Sequence, residues 1–296
     1  MKKTLFVLMA AMLVLPLGCK KNNGGESGKD VVMDDPATKE LAQVVSFNEP
    51  VEFPKIGEVK RIEFSEGSRY IMTYAEKEVV NYSAVKADDE KLHVKVGTFT
   101  FKDGVYTLSD AGTIKIDGGG KTVNVTPEGG SEQSVGASVQ PTTTGGNTVK
   151  ANAARTWKLD EIRIKIADKD ASVSKSYGPD LQAIAKDIKG KGVKISDDII
   201  KDLAGYTVKE IIITGAGSFV ISFTGAEAIS GTCDISSTSF KYTLPESSNP
   251  IFSSGVATGT IEFGESSAVI AVDVVMNAGN DTYKASFTMT LSEVKQ

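Results

Sequence analysis

The chain is poor in the residues that most often carry chemistry. Its 296 residues include two cysteines, Cys19 and Cys233, one histidine, His93, and one tryptophan, Trp157. A zinc cluster built from Cys and His is out of reach with one histidine and one cysteine beyond Cys19. A disulfide framework is excluded for the same reason. A Ser-His-Asp or Cys-His catalytic machine would have to use His93, which sits in Leu92-His93-Val94-Lys95 on the polar phase of a strand and is expected to face solvent. Base is also in deficit, with 33 Lys and Arg against 38 Asp and Glu, a formal net charge of −5. That balance repels nucleic acid and anionic lipid, and no basic patch with interleaved aromatics is seen. After the first 18 residues no stretch holds the roughly 18–20 consecutive apolar residues that a spanning helix needs. Aromatics make up 7% of the chain against 29 glycines, as in a turn-rich β protein.

What is present begins at the N-terminus. Met1-Lys2-Lys3 is basic, Leu5 to Leu15 is apolar, and Pro16-Leu17-Gly18-Cys19 is a small-residue site ending in cysteine. The stretch is too short and wrongly flanked to span a bilayer, so it reads as a targeting segment. Leu17-Gly18-Cys19 resembles the end of the lipobox of bacterial lipoprotein signal peptides, with Pro16 standing where that family prefers Leu. The resemblance implies removal of residues 1–18 and acylation of Cys19. The bland alternative is a secreted chain with a chance cysteine. Several acyl chains, at about 0.8 kcal/mol per buried CH2, make a stable anchor. Loss of Lys2 and Lys3 with residues 1–18 would take the formal net charge from −5 to −7. The implied partner is a membrane, reached through the N-terminal lipid, and the implied location is the cell envelope, at the outer membrane. An acidic run after the lipidated cysteine sends some lipoproteins to the outer surface. Here Lys20-Lys21-Asn22-Asn23 comes first, which favours the periplasmic face and leaves the other open.

The rest divides by pattern into a flexible polar tether over residues 19–46, an N-terminal β domain over 47–126, a Gly/Ser/Thr/Pro-rich linker over 127–153 and a C-terminal β domain over 154–296. Period-2 alternation marks strands at 59–64, 69–75, 79–85, 92–101, 105–108, 113–116 and 122–126. Lys102-Asp103-Gly104 and Gly118-Gly119-Gly120 are expected hairpin turns. The second domain opens with a strand over 156–166 whose apolar phase switches near Glu161, which predicts a bulge. Gly178-Pro179 then starts a helix with Leu181, Ile184, Ala185 and Ile188 on one face, ending at Gly190. Ser196 caps a second helix carrying Ile199, Ile200 and Leu203. Seven further strands run to residue 291. The expected fold is mainly β, with two tandem antiparallel domains. The second is a barrel of about eight strands with a two-helix insertion after its first strand.

The halves also match each other. Val59 to Ser65 lies beside Val208 to Thr214, and Gly67-Ser68 to Tyr74 beside Gly217-Ser218 to Phe223. Gly97-Thr98, Tyr106-Thr107-Leu108 and Gly112-Thr113-Ile114 find counterparts, in order, in Gly231-Thr232, Tyr242-Thr243-Leu244 and Gly259-Thr260-Ile261. Any two antiparallel meanders share some of this. The preserved order points to a tandem repeat, in which the first copy is a smaller, more open sheet or sandwich.

At Arg155-Thr156-Trp157 and the strands that follow, residues 154–295 resemble the lipocalin-like domains of bacterial lipoproteins of unknown function. The Gly of that family's Gly-x-Trp is absent here. The resemblance implies a barrel plugged at one end by Trp157, a late basic residue (Lys284 or Lys295) packed on it, an apolar interior with a helical lid, and binding rather than catalysis.

No catalytic residue, metal ligand or cofactor site stands out. Asp34-Asp35 and Asp88-Asp89-Glu90 read as solvated surface charge, lacking EF-hand spacing. Cys233 reads as a buried inert thiol. Candidate ligand-lining residues of the barrel are Phe219, Ile221, Phe223, Tyr283, Phe287 and Met289, each of which is by default simply core. Asp273, interrupting Val269 to Met276, is either an outer-face acid or an acid inside the barrel that fixes a polar ligand group. The two functional readings are a lipid-anchored carrier of a small apolar or amphipathic ligand, and an adhesive module binding protein or glycan through loops or sheet edges. A filled barrel interior favours the second.

Overall fold

The computed structural model describes residues 31–75, 92–142, 144, 146–168, 171–236, 239–244, 255–278 and 281–295. The signal segment, Cys19, the expected strand at 79–85 and the cluster Asp88-Asp89-Glu90 lie outside the described residues. The chain is mainly β and forms two compact units. One comprises Pro36–Thr143 with Thr214–Ala216; the other comprises the described residues up to Asp35, Thr144–Ile213 and Gly217–Gln296.

The first unit is a closed antiparallel barrel of eight strands in sequence order. These are β1 (Gln43–Phe53), β2 (Gly57–Phe64), β3 (Arg69–Ala75), β4 (Leu92–Lys102), β5 (Val105–Leu108), β6 (Gly112–Ile116), β7 (Thr122–Pro127) and β8 (Gln133–Pro141). Closure comes from β8 pairing with β1, from Gln43 opposite Pro141 to Phe47 opposite Ala137. The expected open sheet is thereby corrected, because both closing strands fall in stretches whose composition hides them. In β1 the alternation breaks at a bulge between Ser46 and Val51, where Asn48, Glu49 and Pro50 are exposed. A proline, having no N–H to give a ladder, is tolerated at such a site. In β8 the inward positions Val135, Ala137 and Val139 alternate with Ser, Gly and Gln, so a stretch that reads as linker still has period 2. The expected linker thus contains a wall strand. Inside, Phe64 stacks on Tyr106 at 4.0 Å between ring centroids. The Asp103-Gly104 turn has positive φ at both residues, as a two-residue hairpin of mirror-image type requires.

The second unit begins with α1 (Thr148–Ala153), capped by the Asn147 side chain on the N–H of Lys150. It continues through β9 (Arg155–Ala167), β10 (Ser172–Tyr177), α2 (Leu181–Gly190) and α3 (Asp197–Asp202). A meander completes it: β11 (Thr207–Ile213), β12 (Ser218–Thr224), β13 (Ile229–Ser236), β14 (Ser239–Leu244), β15 (Gly255–Phe263), β16 (Ser267–Ala278) and β17 (Asp281–Glu293). The sheet order is β10-β9-β11 through β17, and the sheet curls until β17 also pairs with β9. That pairing joins β9 and β11 to β17 into a wall of eight strands, with β10 as a ninth on β9. The bulge expected near Glu161 is present: Thr290 faces Glu161 and Leu291 faces Leu159, leaving Asp160 as the extra residue. It lets Trp157 and Leu159 point inward on one side and Ile162, Ile164 and Ile166 on the other. Helix α2 starts at Leu181 and takes its cap from Asp180, whose carboxylate accepts the Ala183 N–H, rather than opening at Gly178-Pro179. Ser196 caps α3 as expected.

The two strand sets share their pairing over the first hairpin. Phe64 faces Tyr70 and Ile62 faces Met72, with a bulge between Val59 and Arg61. Ile213 faces Phe219 and Ile211 faces Ile221, with a bulge between Val208 and Glu210. Counted from Val59 and Val208 these positions coincide. One strand on, Tyr70 faces Gly97 and Phe219 faces Gly231. The next ladders differ by two residues. Phe99 faces Leu108 whereas Cys233 faces Tyr242, so Leu108, not Tyr106, occupies the place of Tyr242.

The Tyr70–Gly97 contact is tight. A Cβ on Gly97 would lie 2.4 Å from the Tyr70 ring, which is fully buried and donates its hydroxyl to the Ser109 carbonyl at 2.6 Å. Gly97→Val should therefore destabilise the first unit by about 1–3 kcal/mol through overpacking, read as a lower urea midpoint. Burial pushes the Tyr70 phenol from 10.0 up to about 12. Above pH 10 the unfolded chain ionises first, so this contribution is full below pH 10 and is lost as pH rises toward 12. Tyr70→Phe should flatten that part of the alkaline stability profile, leaving what Tyr106 and Tyr177 contribute, since burial raises both.

Candidate functional site

The six expected lining residues do converge. Phe219, Ile221 and Phe223 lie in phase on β12, and Tyr283, Phe287 and Met289 in phase on β17, all within one core cluster. Their exposures are 1, 5, 8, 2, 1 and 5% in that order. A side chain on the wall of a ligand cavity leaves part of its surface open to that space, and these do not. Among the described residues, apolar neighbours from the sheet and from the helices share their cluster. Leu181, Ile184, Ala185 and Ile188 of α2 and Ile199 and Ile200 of α3 join the same cluster. Burial of each large aliphatic side chain contributes about 1.5–3 kcal/mol. The helices are also fastened. The Tyr177 hydroxyl on β10 donates to Asp187 on α2 at 2.7 Å, and Lys175 pairs with the same carboxylate at 3.1 Å. Those two contacts hold the Asp187 carboxyl below its ordinary value, the Tyr177 hydrogen bond foremost. Lys194 pairs with Asp281 at 2.7 Å, and its N–H donates to the Tyr283 hydroxyl at 3.4 Å. What resemblance suggested as a lid is thus packed into the core.

Of the two alternatives for Asp273, the structure takes the outer-face one. On β16 the inward phase is Ala268, Ile270 and Val272, so Asp273 faces outward and is exposed. It accepts a hydrogen bond from Ser286 at 2.6 Å, in a cross-strand row with Ser286 and Lys165. Its place is the outer-face acid of a half-buried strand, not a polar group in the barrel.

The end of the second unit marked by Trp157 is densely cross-linked. Trp157 is fully buried, donates its Nε1–H to the Ala153 carbonyl at 2.9 Å and packs toward Phe263 at 6.3 Å. Neither Lys284 nor Lys295 covers it; both are exposed, because Lys284 has the outward phase of β17 and Lys295 follows its end. The buried base here is Arg155, 3% exposed. Its Nε donates to the Asn152 carbonyl at 2.8 Å, its Nη2 to the Asp34 carbonyl at 2.7 Å, and its Nη1 pairs with Glu293 at 2.6 Å. Asn152, also 3% exposed, accepts the Met33 N–H at 3.0 Å and donates to the Val31 carbonyl at 2.5 Å. Met33 itself is buried in the core cluster. Residues 31–35, assigned from composition to a flexible tether, are therefore seated on this unit. Asn152, Arg155 and Glu293 gave no signal as a group, because Asn152 and Arg155 act on a segment 119 to 121 residues away and Glu293 acts on Arg155, 138 residues away.

His93 is also corrected. Tyr74 faces it across the β3–β4 ladder, which puts it on the same side of the wall as Met72 and Tyr74, and the two rings stack at 5.5 Å. It is half-buried there. Cys233 is partly buried, with its Sγ 3.7 Å from the Ser218 carbonyl. Among the described residues no group of three His, Cys, Asp or Glu is placed to hold a metal ion. No helix of the described residues is long and apolar enough to cross a membrane. Comparison of the chain with family profiles, curated proteins and solved structures finds no match.

If the six residues are packing, shortening one must cost stability. Phe287→Ala should destabilise the second unit by about 3–5 kcal/mol in urea denaturation, whereas Asp273→Asn should stay within about 0.5 kcal/mol of the parent.

Proposed function

We propose that this chain is a non-enzymatic lipoprotein of the cell envelope, acylated at Cys19, whose β units act as an interaction module through their outer surfaces. The observation that carries the second part is the burial of the described side chains that would line a cavity in the second unit. The six side chains that would line a carrier's cavity are 1–8% exposed and meet apolar side chains of α2 and α3 in the same cluster. A small apolar guest would have to displace that packing. What supports a lipocalin-like reading is architecture alone: an eight-strand wall, Trp157 near the start of its first strand, and two helices after it.

The outer wall is rich in hydroxyls and paired charge. Asp273, Ser286 and Lys165 form one row, and Ala271, Thr288 and Arg163 the next. Among the described residues the exposed large apolar side chains are Val32, Leu92 and Phe101, so Phe101 is the one exposed aromatic ring. The anchor reading rests on the basic start, the apolar stretch and the Leu17-Gly18-Cys19 site, and Lys20-Lys21-Asn22-Asn23 after the cysteine favours the periplasmic face of the outer membrane. The acidic balance argues against nucleic acid.

Two measurements test this reading. A fatty acid supplied to growing cells should label the chain, and Cys19→Ser should abolish the label and leave the unprocessed size. Native mass spectrometry of protein extracted from its own cells should give the mass of the acylated chain alone. A retained small molecule would return the carrier reading.

A further inference from the structure

We infer that the seat formed by Asn152 and Arg155 takes the Val31–Asp35 segment of a second copy of this chain, so that two copies join by exchanging these segments reciprocally.

The seat reads a backbone and one side chain. The Asn152 amide accepts from the Met33 N–H and donates to the Val31 carbonyl, copying both halves of a β ladder. The Arg155 guanidinium donates to the Asp34 carbonyl. Between these contacts Met33 enters the core, 5% exposed, while Val32 is 77% exposed. The hydrogen bonds all go to main-chain atoms, and the one side chain selected is Met33, so the contacts do not require a segment of the same chain. The unit also holds the seat from behind. Glu293 pairs with Arg155, the Asn152 carbonyl accepts from the Arg155 Nε, and Asn152 is fixed in α1. Every copy carries the segment that fits, which makes a second copy the occupant these contacts select.

The layout of the chain allows exchange without loss of a contact. The segment seats on the second unit, yet the residues that follow it, from Pro36, belong to the first. A whole barrel therefore lies along the chain between the segment and Asn152. Asp35, Pro36 and Ala37 are all that stands between the held Asp34 carbonyl and Thr38, whose hydroxyl donates to the Glu66 carbonyl and accepts the Ser68 N–H. Pro36 disfavours helical backbone at Asp35, which keeps this hinge extended. A short, extended hinge is a setting in which copies exchange a terminal segment. In the exchanged pair each seat holds the same hydrogen bonds and the same Met33, and a two-fold arrangement fills both seats. Closed and exchanged forms then differ by concentration and not by contacts. The single chain is favoured below the roughly mM effective concentration that a short link supplies, and the pair above it.

The test uses two chains of residues 19–296, both Cys19→Ser so that the result is independent of acylation. The first carries Met33→Lys, which leaves its seat intact but keeps its own segment out, since the ammonium group finds no partner in an apolar site. The second carries Asn152→Ala, which weakens its seat and leaves its segment intact. A dye on the N-terminus of the first chain reports its sedimentation. Alone, that chain should sediment as a monomer. Mixed with the second at about 1 mM, near the effective concentration of a short link, it should sediment as a dimer, and adding Met33→Lys to the second chain should abolish the dimer. A first chain that stays monomeric in the mixture, while both chains unfold cooperatively in urea, overturns the inference. If either variant lacks a cooperative transition, the parent sequence decides. Parent labelled at its methionine methyls and unlabelled parent are combined at the same concentration, passed through half-denaturing urea and returned to buffer. Isotope-filtered NOEs from the Met33 methyl to protons of the unlabelled copy support the exchange, and their absence overturns it.

Discussion

Closing a meander on itself is the constraint from which the rest of this protein follows. An eight-strand sheet left open offers two rows of unpaired N–H and C=O groups, and closure removes both. The first unit closes over a short ladder between β1 and β8. The second closes over a long one, from Ala285 opposite Ile166 to Glu293 opposite Trp157. A ladder of that length cannot keep one side-chain phase and still satisfy both ends of β9, so it absorbs Asp160 as an extra residue. Because of that residue the aromatic end and the aliphatic end of one strand both face the core. The same ladder delivers Glu293 to Arg155, so a buried guanidinium meets its counter-charge only where the ring is complete.

With the ring closed, the side chains decide what the interior can be. Eight strands leave room for little beyond the residues they carry inward. In the second unit α2 and α3 add their apolar faces to that space, and the aromatic residues of β12 and β17 become packing. The chemistry left to the molecule is on its outside, in rows of hydroxyls and alternating charge, and at its ends.

How much of this could be read in the sequence depends on how local the signal is. Alternation located β3, β5, β12 and β14 to the residue, and the Ser196 cap placed α3, because those patterns lie within a few neighbouring positions. The bulge in β9 was readable as a change of phase. β1 was hidden by Pro50 and its bulge, and β8 by serine and glycine, so the closure of the first unit was invisible although each strand keeps its inward positions. Asp273 and His93 were ambiguous for a different reason. Which side of a strand faces inward is settled by its partners across the ladder, and those are not adjacent in sequence. The Asn152–Arg155–Glu293 group was the least readable, because its components are ordinary polar residues until residues 31–35 are laid against them.

That last arrangement bears on the order in which the molecule can be finished. Residues 31–35 are synthesised some 260 positions before Glu293, which holds Arg155 for them. The first barrel can be complete while its own upstream segment still has nowhere to sit. A chain cut short before Glu293 leaves Arg155, which holds the Asp34 carbonyl, without its carboxylate partner. Completion of the C-terminal strand thus bears on a segment near the opposite terminus of the polypeptide.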